Sequence, residues 1–450
     1  MSTTVESPGQ ARSAGLSYQQ LLDGDTRPVP EVLRKVSPFF VGAEDVPVGR
    51  YTSRAFHDLE VERLWKRVWQ MACREEDIPR VGDTEVYDIA SLSILVVRVA
   101  PDEIKAYYNA CLHRGRQLRS QAGPTNELRC AFHGFCWNHD GSLKQIPCEW
   151  DFPQIDAGQW HLPEVKVGRW GGFVFINMDP DCEPLESFIG ELPSHFARWP
   201  LEQRFKEAHV AKIMRCNWKV SQEAFMEAFH VVATHPQLLA GIGDANSQYD
   251  AWGNVSRAIT PNGTPSPHLS WVPTEQERLD AMLDRRLDQP PVAVVPEGSS
   301  ARAVAGDASR ARWAGLLGPG RVELCDAECN DSIYYTLFPN LHPWGAYNRI
   351  TYRFRPYGDD HTMSIFECMF LSPFRGERPP AAKVHWIGPD EDFNGATELG
   401  QLGRVFNQDT FNLPKVQVGL NTIQKPGVTL ALYQETKIRH FHHLLSHWIS

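Results

Sequence analysis

The sequence has no uninterrupted apolar run near twenty residues, so we expect no membrane-spanning helix. It has no excess of basic residues either, because 45 Lys and Arg stand against 55 Asp and Glu and give a formal net charge of -10. That balance argues against nucleic acid or an anionic membrane surface as a partner. The opening stretch, MSTTVESPGQARSAG, lacks the basic and apolar regions of a secretory leader. A cytoplasmic protein is therefore expected.

The cysteines do not form the pattern of a disulfide framework. Eight of the ten are scattered along the chain, at Cys73, Cys136, Cys148, Cys182, Cys216, Cys325, Cys329 and Cys368. Reduced thiols are the rule in the cytosol, so we expect none of these to be cross-linked. With 42% hydrophobic and 22% charged residues, the composition is that of an ordinary globular protein, and 450 residues allow two or three domains.

The two remaining cysteines belong to a compact pattern with two histidines. Cys111-x-His113 is followed, after sixteen residues, by Cys130-x-x-His133. Two thiolates and two imidazoles in two tight pairs are suited to a metal site on two loops. Two Cys and two His together ligate the Rieske type of [2Fe–2S] cluster, in which histidines replace cysteines on one of the two irons.

Zinc and coincidence are the alternatives for this pattern. Structural zinc sites usually pair like residues, as C-x(2–4)-C and H-x(3–5)-H. Here each pair mixes the two residue types, and Cys111-x-His113 is too short to wrap comfortably round one tetrahedral ion. The pattern therefore favours an iron–sulfur cluster.

A second candidate site follows in the stretch NWKVSQEAFMEAFHVVATHPQLL, where Glu227, His230 and His235 form E-x-x-H-x4-H. On a regular helix, Glu223, Glu227 and His230 share one face. His235 would leave that face unless a bulge or a helix end ahead of Pro236 turned its ring back. A histidine pair in the core or on the surface is the plain alternative.

With the flanking residues C-x-H-R-G and C-x-x-H-G, the sequence resembles the Rieske non-haem iron aromatic-ring-hydroxylating oxygenases, specifically their large (alpha) subunit, over about residues 50–450. The resemblance implies that Cys111 and Cys130 bind one iron of the cluster and that His113 and His133 bind the other. Respiratory Rieske proteins add a disulfide over the cluster. That pair is missing here, which favours the oxygenase type.

The resemblance also implies a mononuclear Fe(II) held by two histidines and one carboxylate, with coordination positions left open for O2. His230 and His235 match the family's histidines, and Asp409, three residues before an Asn, matches its downstream carboxylate. The alternatives for that carboxylate are Glu398, Asp392 and Asp390. Glu227 takes the family's bridging role, linking His230 to His133 of a neighbouring copy.

The expected fold class is α+β. Residues 1–60 are expected to form an N-terminal arm, residues 61–180 an all-β Rieske [2Fe–2S] domain, and residues 181–450 a catalytic domain with an antiparallel sheet flanked by helices, of the helix-grip type. Helices are predicted for 52–69, for the stretch that follows the capping box Thr274-x-x-Glu277, and for 432–449. Residues 1 to about 16 are expected to be disordered.

The function implied is that of a terminal oxygenase. NAD(P)H electrons would arrive from a reductase, directly or through a ferredoxin, and O2 would be inserted into a small hydrophobic aromatic or alicyclic substrate by ring dihydroxylation. Monooxygenation, including demethylation or oxidation of a quaternary ammonium compound, is the alternative, and a pure Rieske electron carrier is another. The resemblance further implies a homotrimer core, with or without a small β subunit.

Apolar residues near the second site are candidate pocket walls, although core residues would look the same. They are Phe225, Met226, Val231, Leu238, Phe338, Leu341, Trp344 and Phe406. Glu223 is expected to face the site too. A histidine-rich C-terminal segment could be read as a further metal site, but histidines at helix ends and surfaces are common, so the plain interpretation is preferred. Its members are His440, His442, His443 and His447.

Overall fold

The computed structural model describes residues 12–13, 15–283 and 290–450. Residues 1–11 and 14 of the segment expected to be disordered, and the end of the helix predicted after Thr274, lie outside the described residues. The α-helices are α1 (Tyr18–Leu22), α2 (Glu31–Arg34), α3 (Gly49–Thr52), α4 (Arg54–Glu60), α5 (Leu185–Ile189), α6 (Leu192–Phe196), α7 (Trp218–Glu223), α8 (Val231–Thr234), α9 (Glu275–Met282), α10 (Ala301–Leu317), α11 (Asp326–Asn330), α12 (Leu402–Thr422) and α13 (Thr436–Ile449).

The strands fall into a first group before residue 180 and a second group after residue 200. The first is β1 (Val46–Pro47), β2 (Gln70–Arg74), β3 (Asp83–Ile89), β4 (Leu92–Ala100), β5 (Glu103–Tyr108), β6 (Gly123–Pro124), β7 (Leu128–Arg129), β8 (Cys136–Trp137), β9 (Leu143–Gln145), β10 (Glu164–Trp170) and β11 (Phe173–Asn177). The second is β12 (Arg204–Met214), β13 (Gln248–Trp252), β14 (Val255–Thr260), β15 (Ser332–Leu337), β16 (Leu341–Pro343), β17 (Ile350–Tyr357), β18 (Asp360–Pro373), β19 (His385–Ile387) and β20 (Gly427–Val428).

The first group forms a seven-stranded sheet in the order β2-β11-β10-β5-β4-β3-β6 and a three-stranded sheet, β7-β8-β9. A tight turn at Gly171–Gly172 joins β10 to β11, and both glycines have positive φ, of 60° and 77°. Such two-residue hairpin turns require left-handed backbone, which glycine adopts without steric cost. A Cβ added to Gly172 would lie 2.7 Å from the guanidinium of Arg74, so glycine is needed there on both counts.

The second group forms an eight-stranded sheet in the order β13-β14-β15-β16-β17-β18-β12-β19, antiparallel except where β19 joins β12. The long helix α12 lies against this sheet. Phe406 of α12 packs on Phe366 of β18, with ring centroids 5.1 Å apart. Further along α12, Gln417 accepts a hydrogen bond from the amide of Asn217, the N-cap of α7, at 2.8 Å. The helix, the sheet and the start of α7 are thereby held together.

A buried arginine joins the two large sheets. Arg353 of β17 donates to both carboxylate oxygens of Glu367 of β18, at 2.7 Å each. Its third nitrogen donates to the carbonyl oxygens of Met71 and Ala72 in β2, at 2.9 and 2.7 Å. The planar guanidinium supplies several donors in a fixed arrangement, so one side chain satisfies partners on both sheets. The first sheet is therefore fixed against the second.

The expected α+β fold class, an all-β unit followed by an antiparallel sheet with helices, is confirmed. The domain limits at residues 60 and 180 remain a prediction. The helix predicted over 52–69 is present as α4 continued by a π-helical turn, Val61–Trp65, and gives way to β2. Within the described residues, no helix is long and apolar enough to cross a membrane.

Candidate metal centres

The two Cys/His loops have the same backbone architecture. The amide of Cys111 donates to the carbonyl oxygen five residues later at 2.8 Å, and the amide of Cys130 does the same at 2.8 Å. Four residues after each cysteine, Gly115 and Gly134 donate back to the cysteine carbonyl at 2.8 and 3.0 Å. Both glycines have positive φ, 76° and 79°, which a side chain would disfavour. Each loop is thus closed by its own backbone.

The cysteines and the histidines face different surroundings. Cys111 and Cys130 are each 2% exposed, whereas His113 is half-buried and His133 is exposed. The two imidazole rings lie together, with centroids 4.7 Å apart. The ring of Phe135 stacks on the ring of His113, with centroids 4.6 Å apart. The two imidazoles therefore lie together toward the solvent, and the two thiols contact each other in the interior.

Backbone amides point at the cysteine sulfurs. Burial raises the pKa of the Cys130 thiol, but the amides of Phe132 and His133, together with the Cys111 thiol, outweigh it and lower that pKa overall. The amides of His113 and Arg114 act on the Cys111 thiol in the same direction, but burial outweighs them and raises its pKa overall. Thiolates ligate iron, so backbone amides directed at both sulfurs fit an iron–sulfur cluster. The donor set, two thiols opposite two imidazoles, fits it as well.

The second site brings together residues from distant parts of the chain. Nε2 of His235 lies 2.8 Å from Oδ1 of Asp409, and Nε2 of His230 lies 3.5 Å from the same oxygen. One ligand atom from each of the three residues lies within 4.8 Å of the others. In the described part of the chain this is the one cluster of three such side chains found close enough to share an ion. Two imidazoles and one carboxylate are the donor set of non-haem Fe(II) sites.

The prediction of one continuous helix through Glu223, Glu227 and His230 is wrong. α7 ends at Glu223, and turns fill 224–230 before α8 begins. Two of the backbone amides there bond to side chains instead. The amide of Ala228 donates to the hydroxyl of Tyr249 at 3.2 Å, and the amide of His230 donates to Glu227 Oε2 at 2.9 Å. Such bonds compete with helix formation.

The predicted helix end ahead of Pro236 is present. α8 stops at Thr234, and His235 has extended-to-bridging backbone, with φ -127° and ψ 53°. A 3-10 turn, Pro236–Leu238, follows. The break turns the His235 ring toward α12, where Asp409 lies. Two interruptions of the helix, one between α7 and α8 and one at His235, therefore bring both histidines to the same site.

A different side chain anchors each imidazole of the second site. Glu227 Oε1 accepts a hydrogen bond from Nδ1 of His230 at 2.8 Å. Gln408 Oε1 accepts one from Nδ1 of His235 at 2.8 Å. In both rings Nε2 is then left to face Asp409. Sequence reasoning missed Gln408, because only its position next to Asp409 could have indicated it.

The surroundings of His230 favour a positive ring. Burial lowers its pKa, but the nearby carboxylates of Glu227 and Asp409 raise it more, to about 9. An electrostatic environment that stabilises a cation at this ring also suits a metal cation bound to it.

The other acidic candidates are engaged elsewhere. Glu223 was expected to face the site, but its carboxylate is bonded to Tyr51 and to His442, at 3.1 and 2.9 Å. This follows from the end of α7 at Glu223, which removes the shared helix face. Of the alternatives to Asp409, Glu398 bonds to His385, Asp390 pairs with Arg215, and Asp392 caps a 3-10 turn.

The predicted pocket walls divide into two sets. Phe225 packs against Phe366 and Tyr352, with centroids 4.6 and 5.2 Å apart, and belongs to the aromatic layer that also holds Phe406 beside the Asp409 turn of α12. Phe338 instead packs on the C-terminal helix α13. The remaining members lie in the core or at its edge: Met226, Val231, Leu238, Leu341 and Trp344.

The C-terminal histidines do not form a metal cluster among the described residues. His440 bonds to the carbonyl oxygen of Gly253 at 2.9 Å, and His442 bonds to Tyr51 and Glu223. These two rings are buried within α13 rather than at a surface or a helix end, so the expected placement is wrong for them, and both are engaged in hydrogen bonds within the chain.

Family models match most of the chain. The model "Ring hydroxylating alpha subunit (catalytic domain)" matches residues 194–450, and the model "Rieske [2Fe-2S] domain" matches residues 68–156. The first covers more than half of the chain and contains His230, His235 and Asp409. The second contains all four residues of the two Cys/His loops.

Curated relatives include both dioxygenases and a monooxygenase. The chain is 28% identical over 208 residues to the chlorobenzene dioxygenase subunit alpha of Cupriavidus sp. (strain PS12), covering 43% of this chain and 45% of the relative. It is 28% identical over 200 residues to the carnitine monooxygenase oxygenase subunit of Escherichia coli (strain K12), covering 42% and 52%. The chain thus spans about half the length of these curated relatives.

A solved structure of a quaternary ammonium Rieske monooxygenase, described as revealing carnitine oxidation by gut microbiota and inter-subunit electron transfer, superposes with a TM-score of 0.64. The match covers 90% of this chain and 95% of that one at 17% identity. At that identity the likeness concerns the fold alone, and it agrees with the expected two-part architecture.

Proposed function

Because the chain belongs to the ring-hydroxylating alpha subunit family, we propose that it is the terminal oxygenase component of a cytoplasmic Rieske oxygenase system. NAD(P)H would be the electron source, and a reductase, directly or through a ferredoxin, would deliver the electrons. The observation that carries the proposal is the convergence of His230, His235 and Asp409 within 4.8 Å in a chain that also has the Cys/His loops. A pure electron carrier needs only the loops.

Electrons enter through the loops in this proposal. Cys111 and Cys130 would hold one iron of a [2Fe–2S] cluster, and His113 and His133 the other. The exposed His133 supports this role, because an exposed ligand on one side of a cluster gives electrons a short path in or out. The buried cysteines keep water from the sulfur side.

His230, His235 and Asp409 would hold the mononuclear iron. Bound there, the iron supplies the activation of O2 that no amino-acid side chain can supply. The residues of this chain fix the geometry. Glu227 and Gln408 orient the two imidazoles, and a single carboxylate with two imidazoles leaves coordination positions open. The aromatic layer around Phe225 excludes water from one side.

The assembly is proposed to be a homotrimer, with or without a small β subunit. Glu227 would link His230 of one copy to His133 of the next, a path for one electron. Exposed apolar side chains near both ends of that path support the contact. Phe132 beside His133 is 55% exposed, and Phe229 beside His230 is 42% exposed. Large exposed apolar groups next to functional residues are typical of interfaces.

The proposed substrate is a small aromatic or alicyclic molecule. Phe225, Tyr352, Phe366 and Phe406 form a mostly apolar layer beside the ligands, and such walls suit rings. Ring dihydroxylation consumes one O2, two electrons from NAD(P)H and one additional proton, and places both oxygen atoms in the product.

Monooxygenation is the second candidate, and oxidation of a quaternary ammonium compound falls within it. The 28% identity over 200 residues to the carnitine monooxygenase oxygenase subunit supports it. The resemblance adds that members of the family mostly carry Asp at the bridging position, whereas Glu, as at position 227 here, occurs among others in enzymes that act on quaternary ammonium substrates. One oxygen atom then enters the product and the other leaves as water, again with two electrons from NAD(P)H.

Metal analysis and labelled oxygen test the proposal. Three irons per chain after reconstitution are expected, and two would leave only the electron carrier. NADH and a surrogate reductase would then be supplied with a panel of arenes, steroid-like rings and quaternary amines under ¹⁸O2. Two labelled atoms in the product identify dihydroxylation, and one identifies monooxygenation. Oxidation of NADH without oxygen in any product would contradict the proposed substrate classes.

A further inference from the structure

The two imidazoles of the iron site are held by groups of different charge. Nδ1 of His230 faces the carboxylate of Glu227 at 2.8 Å, and Nδ1 of His235 faces the neutral amide of Gln408 at 2.8 Å. A hydrogen bond to an anion raises the basicity of an imidazole ligand more than one to a neutral amide does. The two nitrogens that would meet the iron are therefore electronically unequal.

A second glutamine holds Gln408 in place. Nε2 of Gln237 donates to Gln408 Oε1 at 2.9 Å, and Nε2 of Gln408 donates to Gln237 Oε1 at 3.4 Å. The oxygen of Gln408 thus receives two donors, from Gln237 and from the His235 ring. This fixes which end of the amide faces the ring, and a carbonyl oxygen facing Nδ1 fixes the proton there.

Helix α12 contacts the His235 ring at both of its nitrogens. Gln408 and Asp409 are consecutive residues of α12, and they meet Nδ1 and Nε2 of His235 at 2.8 Å each. The ring is 3% exposed, so water does not compete for either of these contacts. Rotation of the ring by half a turn would break both contacts at once.

We propose that Gln408 is a positioning residue of the iron site, which fixes the ring of His235 with Nε2 toward the iron and keeps that ligand the weaker donor of the pair. This rests on the proposed function. Gln237 serves it by locking the amide of Gln408. The two anchors act on different ligands, so loss of Gln408 disturbs iron binding while leaving the Glu227–His230 contact intact.

Three variants in the full-length protein test the proposal. Gln408→Met keeps the length of the side chain and removes the acceptor, while Gln408→Glu keeps an acceptor and adds a charge. Gln417→Met is the matched control. It removes a buried amide from the same helix α12, one that binds the amide of Asn217 and not a ligand. The visible absorption of the [2Fe–2S] cluster reports folding in every sample.

The readouts are iron retained against a chelator and the electron paramagnetic resonance spectrum of the nitric oxide adduct of the mononuclear Fe(II). Gln408→Met is expected to lose the mononuclear iron roughly 10- to 100-fold more readily, the usual effect of removing such an outer hydrogen bond. Gln408→Glu is expected to retain the iron but shift the spectrum. Gln417→Met is expected to match the wild type in both readouts.

Two results would overturn the proposal. One is wild-type iron retention and spectrum in both Gln408 variants. The other is an equal loss in Gln417→Met, which would reduce Gln408 to a general stabiliser of α12. Failure of the proposed function looks different, because the wild-type protein itself would then bind no third iron and give no nitric oxide signal.

Discussion

Glu227→Gln is the most direct perturbation of the proposed electron path, because one carboxylate serves His230 twice. Oε1 accepts from the ring Nδ1 at 2.8 Å, and Oε2 accepts from the backbone amide at 2.9 Å. The amide of glutamine has nearly the same shape but only one oxygen. In either orientation of the amide, its NH2 group faces one of the two N–H donors of His230, and that hydrogen bond is lost.

The magnitude follows from that single lost bond. A hydrogen bond to a charged group contributes about 1.5–3 kcal/mol, and each 1.36 kcal/mol is a factor of about ten in rate. Turnover is therefore expected to fall by roughly 10- to 150-fold. Both metals should be retained after reconstitution with excess Fe(II), since the ligands themselves are unchanged.

The assay is a single turnover of protein whose cluster has been reduced beforehand. With substrate and O2 present, the rate of cluster reoxidation and the yield of product are measured together with iron per chain. Glu223→Gln is the matched control, because its carboxylate lies four residues earlier and is bonded to Tyr51 and His442. That variant should keep nearly wild-type turnover. Normal coupled activity in Glu227→Gln, at three irons per chain, would refute the assigned role.

Three further outcomes are expected. Cys130→Ser should lose both irons of the cluster and keep the mononuclear iron, so metal analysis should give one iron per chain; retention of the cluster's visible absorption would contradict the ligand assignment. Lys219→Met should cost about 3–5 kcal/mol in denaturant unfolding, because it strands the carboxylate of Glu60, 2.7 Å away with both side chains 0% exposed; a loss below about 1 kcal/mol, the level of a surface pair, would count against it. Burial, together with Arg257 and Lys35, lowers the pKa of His195 to about 4 from 6.5, so the unfolded chain takes up a proton between those values that the folded chain does not. The stability due to neutral His195 is present above about pH 6.5 and lost as pH falls toward 4, and His195→Phe should flatten that part of the unfolding free energy against pH; an unchanged slope would show that the ring does not titrate in this way.

The cluster loops could be predicted from the sequence because their information is local. Cys111 and His113, and Cys130 and His133, are separated by one and two residues, and a glycine follows each cysteine at the fourth position. Short loops of that kind have few ways to close. The strands around them were also predictable, since their alternation and turn residues are local signals.

The iron site was only partly predictable, because long-range contacts decide its shape. Tyr249 lies in β13, yet its hydroxyl takes the amide that a continuous helix through Ala228 would have used. No periodicity within 217–239 reveals that contact. Asp409 could be predicted only from its match to a family pattern. Gln408 was missed because its spacing in the sequence does not indicate that its amide bonds to a histidine ring. The Arg353 contacts that join the sheets span about 280 residues and carry no local signal.

The opposed exposure of sulfurs and imidazoles has a consequence for how the protein matures. Both cysteines are sealed inside loops that their own backbones close, so a cluster can reach them only across the open face occupied by His113 and His133. Delivery by an assembly factor would then have to precede contact with another subunit, because a docked neighbour at His133 would block that face. In the proposed trimer, subunit association would then cover a cluster that is already in place.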